Sequence, residues 1–266
     1  MPGIKGIFIY SDYPSKALSI GKVIDFIRSY GLFAQYRGNI FEFLSPTAEE
    51  AVELSRRIAG TRVMDISVPI DEIREPIYRE IDAELRRLRD DGGHLGVFYD
   101  GLWIQRIFYK YMSWKTPEEF KGRYIHVIFT NRLFGTYDAG RYHARVIITG
   151  PPSLISTSGI VEAPARPKDY YWLKAGFIRA GKDIGELDLL YRGRFIEYDD
   201  SRITEALSPY VLQSVFYEIT GNPFCDNPDC CLYNSHWQEE VIRAQIEGKL
   251  CGEHRDIIKR LGLLEE

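Results

Sequence analysis

An α/β fold, with a mixed sheet flanked by helices, is what this 266-residue sequence predicts, and three observations carry that prediction. Short apolar runs of strand length alternate with amphipathic stretches in the N-terminal third, the signature of βα units. Two β-rich runs, Tyr124–Thr130 and Tyr142–Thr149, occupy the middle. All four cysteines fall in one C-terminal stretch, a clustering that reads as a metal site and not as a disulfide framework. The length suffices for one full core, so the expectation is a single compact domain over 1–266 with a metal-binding subregion at 221–266.

Ile7-Phe-Ile-Tyr10 is a first strand, and Pro14 to Tyr30 places Leu18, Val23, Phe26 and Ile27 at helical spacing before a glycine stop at Gly31. Phe33 to Leu44 reads as one or two strands around a Gly38-Asn39 turn. Ser45-Pro46-Thr47 with Glu50 starts a helix that reaches Ile58 and Gly60. Pro76 to Arg89 is a charged helix with Ile77, Ile81, Leu85 and Leu88 on one stripe and its polar face in solvent, ending at Asp91-Gly92-Gly93; His94 beyond it carries no signal. The two middle runs read as central strands joined through Asp138-Ala139-Gly140. Gly150 to Asp200 is rich in Gly and Pro and reads as irregular, with short strands near Ile160 and Phe195, of the kind that lines a cleft. Ser208-Pro209 then caps a helix to about Thr220, stopped by Gly221, and a last helix from Gln238 to Ile246 lies between the halves of the metal site.

A net charge of -4 argues against a protein that coats nucleic acid, although a local basic patch can hide in that average. The chain runs from Met1 straight into a strand, with no leader-like segment, and no stretch of about 18 apolar residues suggests a membrane span. The expectation is a cytoplasmic protein with reduced cysteines.

Cys225-Asp-Asn-Pro-Asp-Cys230-Cys231 is answered by Cys251-Gly-Glu-His254. A C-x4-C pair with a distant C-x2-H pair suits tetrahedral zinc, because soft thiolates and an imidazole select it over calcium or magnesium. The ligands are taken as Cys225, Cys230, Cys251 and His254, with Cys231 or His236 able to replace one of them. Four protein ligands leave no position for water, so such a site stabilises and does no chemistry. Elsewhere the signals are sparser. His126 and His143 alternate with apolar neighbours and either pack or converge on a cleft with Glu162 and Asp169. Ser153 to Gly159 is small and polar but lacks a phosphate-loop pattern, and no Ser/His/Asp triad is recognisable. Arg166 and Lys168 beside Tyr170, Tyr171 and Trp172 place charge near stacking surfaces that a peptide or nucleic acid could use.

Phe224-Cys225-Asp-Asn-Pro-Asp-Cys230-Cys231-Leu232 with Leu250-Cys251-Gly-Glu-His254 resembles the ending of the archaemetzincins, archaeal metallopeptidases, over roughly the last fifty residues. The resemblance implies a zincin-like fold, a structural zinc at the cysteines and, on the preceding helix, the H-E-x-x-H-x-x-G-x-x-H zinc motif of a peptidase. Here Gly221 keeps the motif's glycine, but Ser214, Glu218 and Phe224 stand at the three His positions, Val215 at the general base and Leu232 at the expected Met. The implication is a metallopeptidase homologue with a degenerate catalytic motif, in which Glu218 is the one remaining candidate base or ligand. The alternative is a zinc-stabilised module that recognises a peptide, a protein or an RNA surface.

Overall fold

The computed structural model describes residues 4–89 and 96–260; the expected helix stop at Asp91-Gly92-Gly93, and His94, lie outside them. Eight strands are present among these residues: β1 (Gly6–Asp12), β2 (Ala34–Asn39), β3 (Phe98–Asp100), β4 (Tyr124–Thr130), β5 (Leu133–Asp138), β6 (Arg141–Arg145), β7 (Ile147–Ile148) and β8 (Ser153–Ser156). They form two sheets, a five-stranded one in the order β2-β1-β4-β8-β7 and a three-stranded one in the order β3-β5-β6. The first is parallel except for β7, which runs antiparallel to β8. The α/β class with a mixed sheet flanked by helices is therefore as expected.

Alternation along β1 decides how the layers pack, because successive side chains of a strand point to opposite faces. Ile7 and Ile9 meet α1 (Ile20–Arg28) through Val23 and Ile27, while Phe8 and Tyr10 join the opposite core beside α2 (Ile40–Leu44), α3 (Ala48–Gly60) and α5 (Gly101–Lys115). With both faces covered, all seven residues of β1 are buried, the usual state of a parallel strand. The capping box at α3 is formed as expected, Thr47 accepting from Glu50 N–H and Glu50 accepting from Thr47 N–H.

Several expectations shift. The first helix starts at Ile20, capped by Ser19, and not at Pro14. Ile40–Leu44 is helical because the Asn39 side chain caps it at Phe41 N–H, so only Ala34–Asn39 is strand. The middle run divides: β6 pairs with β5, a strand inside the presumed connection, through a turn with Ala139 and Gly140 both at positive φ, and β7 crosses to the larger sheet. The presumed irregular segment holds β8, α7 (Gly159–Glu162), α8 (Lys168–Arg179) and α9 (Ile184–Leu190). Ile160 is helical and Phe195 lies in no strand, since Pro167, Gly181 and Asp183 bound helices here instead of breaking them. Ser208-Pro209 lies inside α10 (Ile203–Thr220), where the Ser208 hydroxyl donates to Thr204 O, so it does not cap that helix.

The Pro76–Arg89 segment gives the largest reversal. In α4 (Tyr78–Arg89) Ile77 is exposed just ahead of the helix, and the residues turned inward are Glu84 and Arg87. They join a largely interior charge network at the carboxyl ends of β1 and β4. Arg132 donates from Nε to Asp12 at 2.7 Å and from Nη1 to Glu84 at 2.6 Å. Glu84 also accepts from Arg62 and from the Tyr99 hydroxyl, and Asp12 from Arg87 and the Thr130 hydroxyl. Burial works to raise both carboxyls, but the guanidinium groups of Arg132, Arg87 and Arg62 outweigh it and hold Asp12 and Glu84 down at about 2.

Replacing Arg132 strands two buried carboxylates, so Arg132→Met is expected to cost about 3–5 kcal/mol in urea unfolding, whereas exposed Arg86→Ala should stay within about 0.5 kcal/mol. Because both carboxyls titrate lower folded than unfolded, their stabilisation is complete above the unfolded value near 4 and is lost as pH falls toward 2. Thermal melts between pH 5 and pH 2 check this: the melting temperature should drop steeply below pH 4.

Candidate metal centre

The C-terminal residues build a small enclosure around one end of α10. That helix stops at Gly221, whose φ of 76° is the left-handed conformation glycine tolerates, as its sequence position predicts. The chain turns back through Asn222-Pro223, and Cys225 N–H donates to Leu232 O at 3.1 Å, which closes the first loop. Asp229 N–H donates to the Asn227 side chain and Cys230 N–H to Asn227 O, so Asn227-Pro228-Asp229 forms a tight turn that delivers Cys230. Cys231 N–H donates to Lys249 O and ties this loop to the second half of the site. Between the halves lies α11 (Gln238–Val241), which continues as a π-helical turn over Ile242–Glu247, so the expected helix is present in a looser winding. Cys251 immediately precedes α12 (Gly252–Arg260), a helix absent from the expectations although its Cys-x2-His spacing signals one turn of helix.

That spacing brings His254 over Cys251, with Nδ1 3.0 Å from Sγ. Cys225 Sγ lies 4.0 Å from Cys251 Sγ, and one donor atom from each of Cys225, Cys230, Cys251 and His254 lies within 4.8 Å of all the others. A tetrahedron with zinc–sulfur bonds of ~2.3 Å has edges of about 3.8 Å. The donor set can therefore close on one ion with shifts of an ångström or less, and it is the one group of three or more such residues found among the described residues. Asn227 N–H points at Cys225 Sγ at 3.4 Å, the kind of donor that stabilises a thiolate. The adjoining Cys231 thiol lowers Cys230 to about 5, and Cys230, with burial, raises Cys231. Burial pushes Cys225 up to about 12. Cys231 lies outside this group of four, and His236 is exposed and lines another cavity. All four thiols are free.

The helix positions inherited from the resemblance do not form a second centre. Ser214 is buried and its hydroxyl donates to Tyr210 O, Val215 is core, and Phe224 carries no donor. Glu218 is exposed and makes no hydrogen bond or ion pair among the described residues; the desolvation it still meets raises its pKa.

The other candidates stay apart as well. His126 is stacked on Phe120 at 4.3 Å, and burial lowers it to about 4, so it is a neutral packed histidine bonded to Tyr10. His143 sits opposite Thr136 in the smaller sheet, Glu162 accepts from Tyr198 and Asp169 from Arg194. The hydroxyls of Ser153, Ser156, Thr157 and Ser158 are spent on backbone carbonyls and offer no phosphate cradle. Arg166 pairs with Asp188 over the Tyr170 and Phe195 rings, and Lys168 lies over Trp237, while Trp172 is 80% exposed.

One feature was invisible in the sequence. A cavity of about 90 Å³ lies between β6–β7 and α10, bordered by Phe224 and His236, and Gln213 reaches it with its Oε1 buried and unpartnered. Such an acceptor costs about 1–3 kcal/mol. Only the pairing of α10 with the β6–β7 edge brings it into view.

Two solved structures align along nearly the whole chain. The zinc-dependent peptidase from Methanocorpusculum labreanum (strain Z) is 13% identical, with a TM-score of 0.47 over 95% of this chain and 100% of that one. Archaemetzincin from Methanopyrus kandleri is 10% identical, with a TM-score of 0.41 over 97% and 95%. No curated protein matches the chain. Residues 4–261 match the model of the probable metallopeptidase family (DUF6775), and the chain belongs to that family.

Proposed function

We propose that this family member is a metallopeptidase homologue that keeps a structural zinc at Cys225, Cys230, Cys251 and His254 and has exchanged peptide hydrolysis for peptide binding in the cleft beside α10. The observation that carries the proposal is the contrast between two sites. The cysteine loops bring three thiols and an imidazole within 4.8 Å of one another, whereas the hydrolytic positions of α10 hold Ser214, Val215, Glu218 and Phe224. A hydrolytic zinc needs about three strong protein donors and an open position for water. Glu218 supplies one donor, on an exposed turn.

Zinc held by Cys225, Cys230, Cys251 and His254 would supply folding free energy and no Lewis-acid step, since these four donors would fill a tetrahedral site. The chain's own residues do the rest: Asn227 N–H supports the Cys225 thiolate, and Phe216 packs edge-on against the His254 ring at 4.8 Å. Reduced thiols suit a reducing compartment such as the cytosol. Among the described residues, no helix is long and apolar enough to cross a membrane.

Elemental mass spectrometry of tag-free protein tests the reading. One zinc per chain is expected, unchanged in Glu218→Ala and lost in Cys251→Ser. Because structural zinc ligation is worth ~10–16 kcal/mol against a typical total stability of ~5–15 kcal/mol, Cys251→Ser should also abolish the cooperative melt of the C-terminal region. Two metals per chain, one of them lost in Glu218→Ala, would overturn the proposal in favour of a rebuilt hydrolytic centre.

A further inference from the structure

The cavity between β6–β7 and α10 gathers polar groups that the fold leaves unanswered. Gln213 is 1% exposed, its Oε1 has no partner, and neither of its amide atoms makes a hydrogen bond among the described residues. A leucine would fill that space without stranding an acceptor. Tyr210, one turn earlier on the same face of α10, also borders the cavity, and its hydroxyl finds no partner among the described residues; burial raises its pKa, so it is a proton donor. Ala144 also borders the cavity.

Charge narrows the ligand. Arg145 and His236 border the cavity, and no Asp or Glu does. Arg145 is half-buried; its Nε donates to Thr136 Oγ1 at 2.9 Å, and its terminal nitrogens make no ion pair among the described residues. A cationic ligand is disfavoured there, and a carboxylate would find donors waiting. The volume, about 90 Å³, exceeds the ~30 Å³ share of one water and falls short of the ~150 Å³ that takes benzene. It suits a carboxylate with a short side chain and excludes a large aromatic one.

We propose that this cavity receives the C-terminal carboxylate of a peptide ending in a small residue, with Arg145 and the Tyr210 hydroxyl facing the carboxylate and the preceding residues leaving past Ala144. The inference rests on the peptide-binding reading above and names the end of the peptide that is recognised.

Fluorescence anisotropy on the zinc-loaded full chain tests it, with N-terminally labelled tetra-alanine as probe, either as the free acid or as the C-terminal amide, and sodium acetate as competitor. The free acid should bind at least ~10-fold more tightly than the amide, the size expected of a charge-assisted hydrogen bond, and equimolar acetate should not displace it. Arg145→Gln should erase that preference. Tyr210→Phe should weaken binding ~10-fold, as the hydroxyl's hydrogen bond to the carboxylate is lost. Equal affinity for acid and amide, displacement by equimolar acetate, no binding, or wild-type binding by both variants would overturn the proposal. Mass spectrometry of the recovered peptide separates the two readings: a shortened peptide would overturn the non-hydrolytic assignment and leave the carboxylate preference standing or falling on the anisotropy.

Discussion

Arg132 is the residue on which the two sheets depend. It leaves the end of β4, and within one side chain it satisfies Asp12 from the larger sheet and Glu84 from α4, while Glu84 passes the connection on to Tyr99 in the smaller sheet. Two carboxylates and the guanidinium groups of Arg87 and Arg132 sit at or near zero exposure, so each cation is held where loss of one partner would leave another charge without water. A network of this kind adds less net stability than apolar packing would. It specifies geometry, because each carboxylate can be satisfied in few arrangements. In open parallel sheets the carboxyl ends of the strands, where order reverses, commonly receive ligands. Here the chain fills that position between β1 and β4 with its own charges.

With that crevice closed, chemistry is left to the opposite side of the larger sheet. The α10 helix packs its long buried stretch, Ile203 to Phe216, against the sheet and delivers Gly221 at the edge of the cysteine loops. The same helix therefore borders both the metal centre, through the turn at Gly221 that leads to Cys225, and the small cavity, through Tyr210 and Gln213. The candidate metal centre and the small cavity thus share one rigid element, the arrangement that holds side chains in place.

Legibility in the sequence depends on the range of the forces involved. β1, β4, the α3 capping box, the stop at Gly221 and the four clustered donors were readable because each rests on neighbours a few residues apart. The α4 stripe misled for a physical reason: Ile77 and Leu85 have helical spacing, but burial was decided by Arg132 and Asp12, which lie far along the chain from Glu84 and Arg87. The Gly- and Pro-rich stretch from Gly150 to Asp200 reads as irregular although its Pro167 and Gly181 bound a helix, and Ser208-Pro209 reads as a cap although Ser208 bonds back to Thr204 within the helix. Gln213 looked like an ordinary helical residue, since only a partner strand turns an amide into an unpaired one. Choosing Cys230 over Cys231 was likewise beyond spacing; it depends on which thiol the Asn227 turn carries toward Cys251.

The distance between the two halves of the metal centre has a meaning for chain statistics. Cys225 and Cys251 are 26 residues apart, and the segment between them is short on regular structure, holding one helical turn and a π-wound continuation. An ion bound at both ends acts as a reversible cross-link. By the relation used for disulfides, closing a loop of that length removes unfolded-chain entropy worth roughly 3–4 kcal/mol. A disulfide would tie only two of these positions and would answer to the redox state of the surroundings. Under the proposed coordination zinc would tie four, with a strength that varies with the free zinc concentration and pH, so metal supply would tune the rigidity of the end of α10.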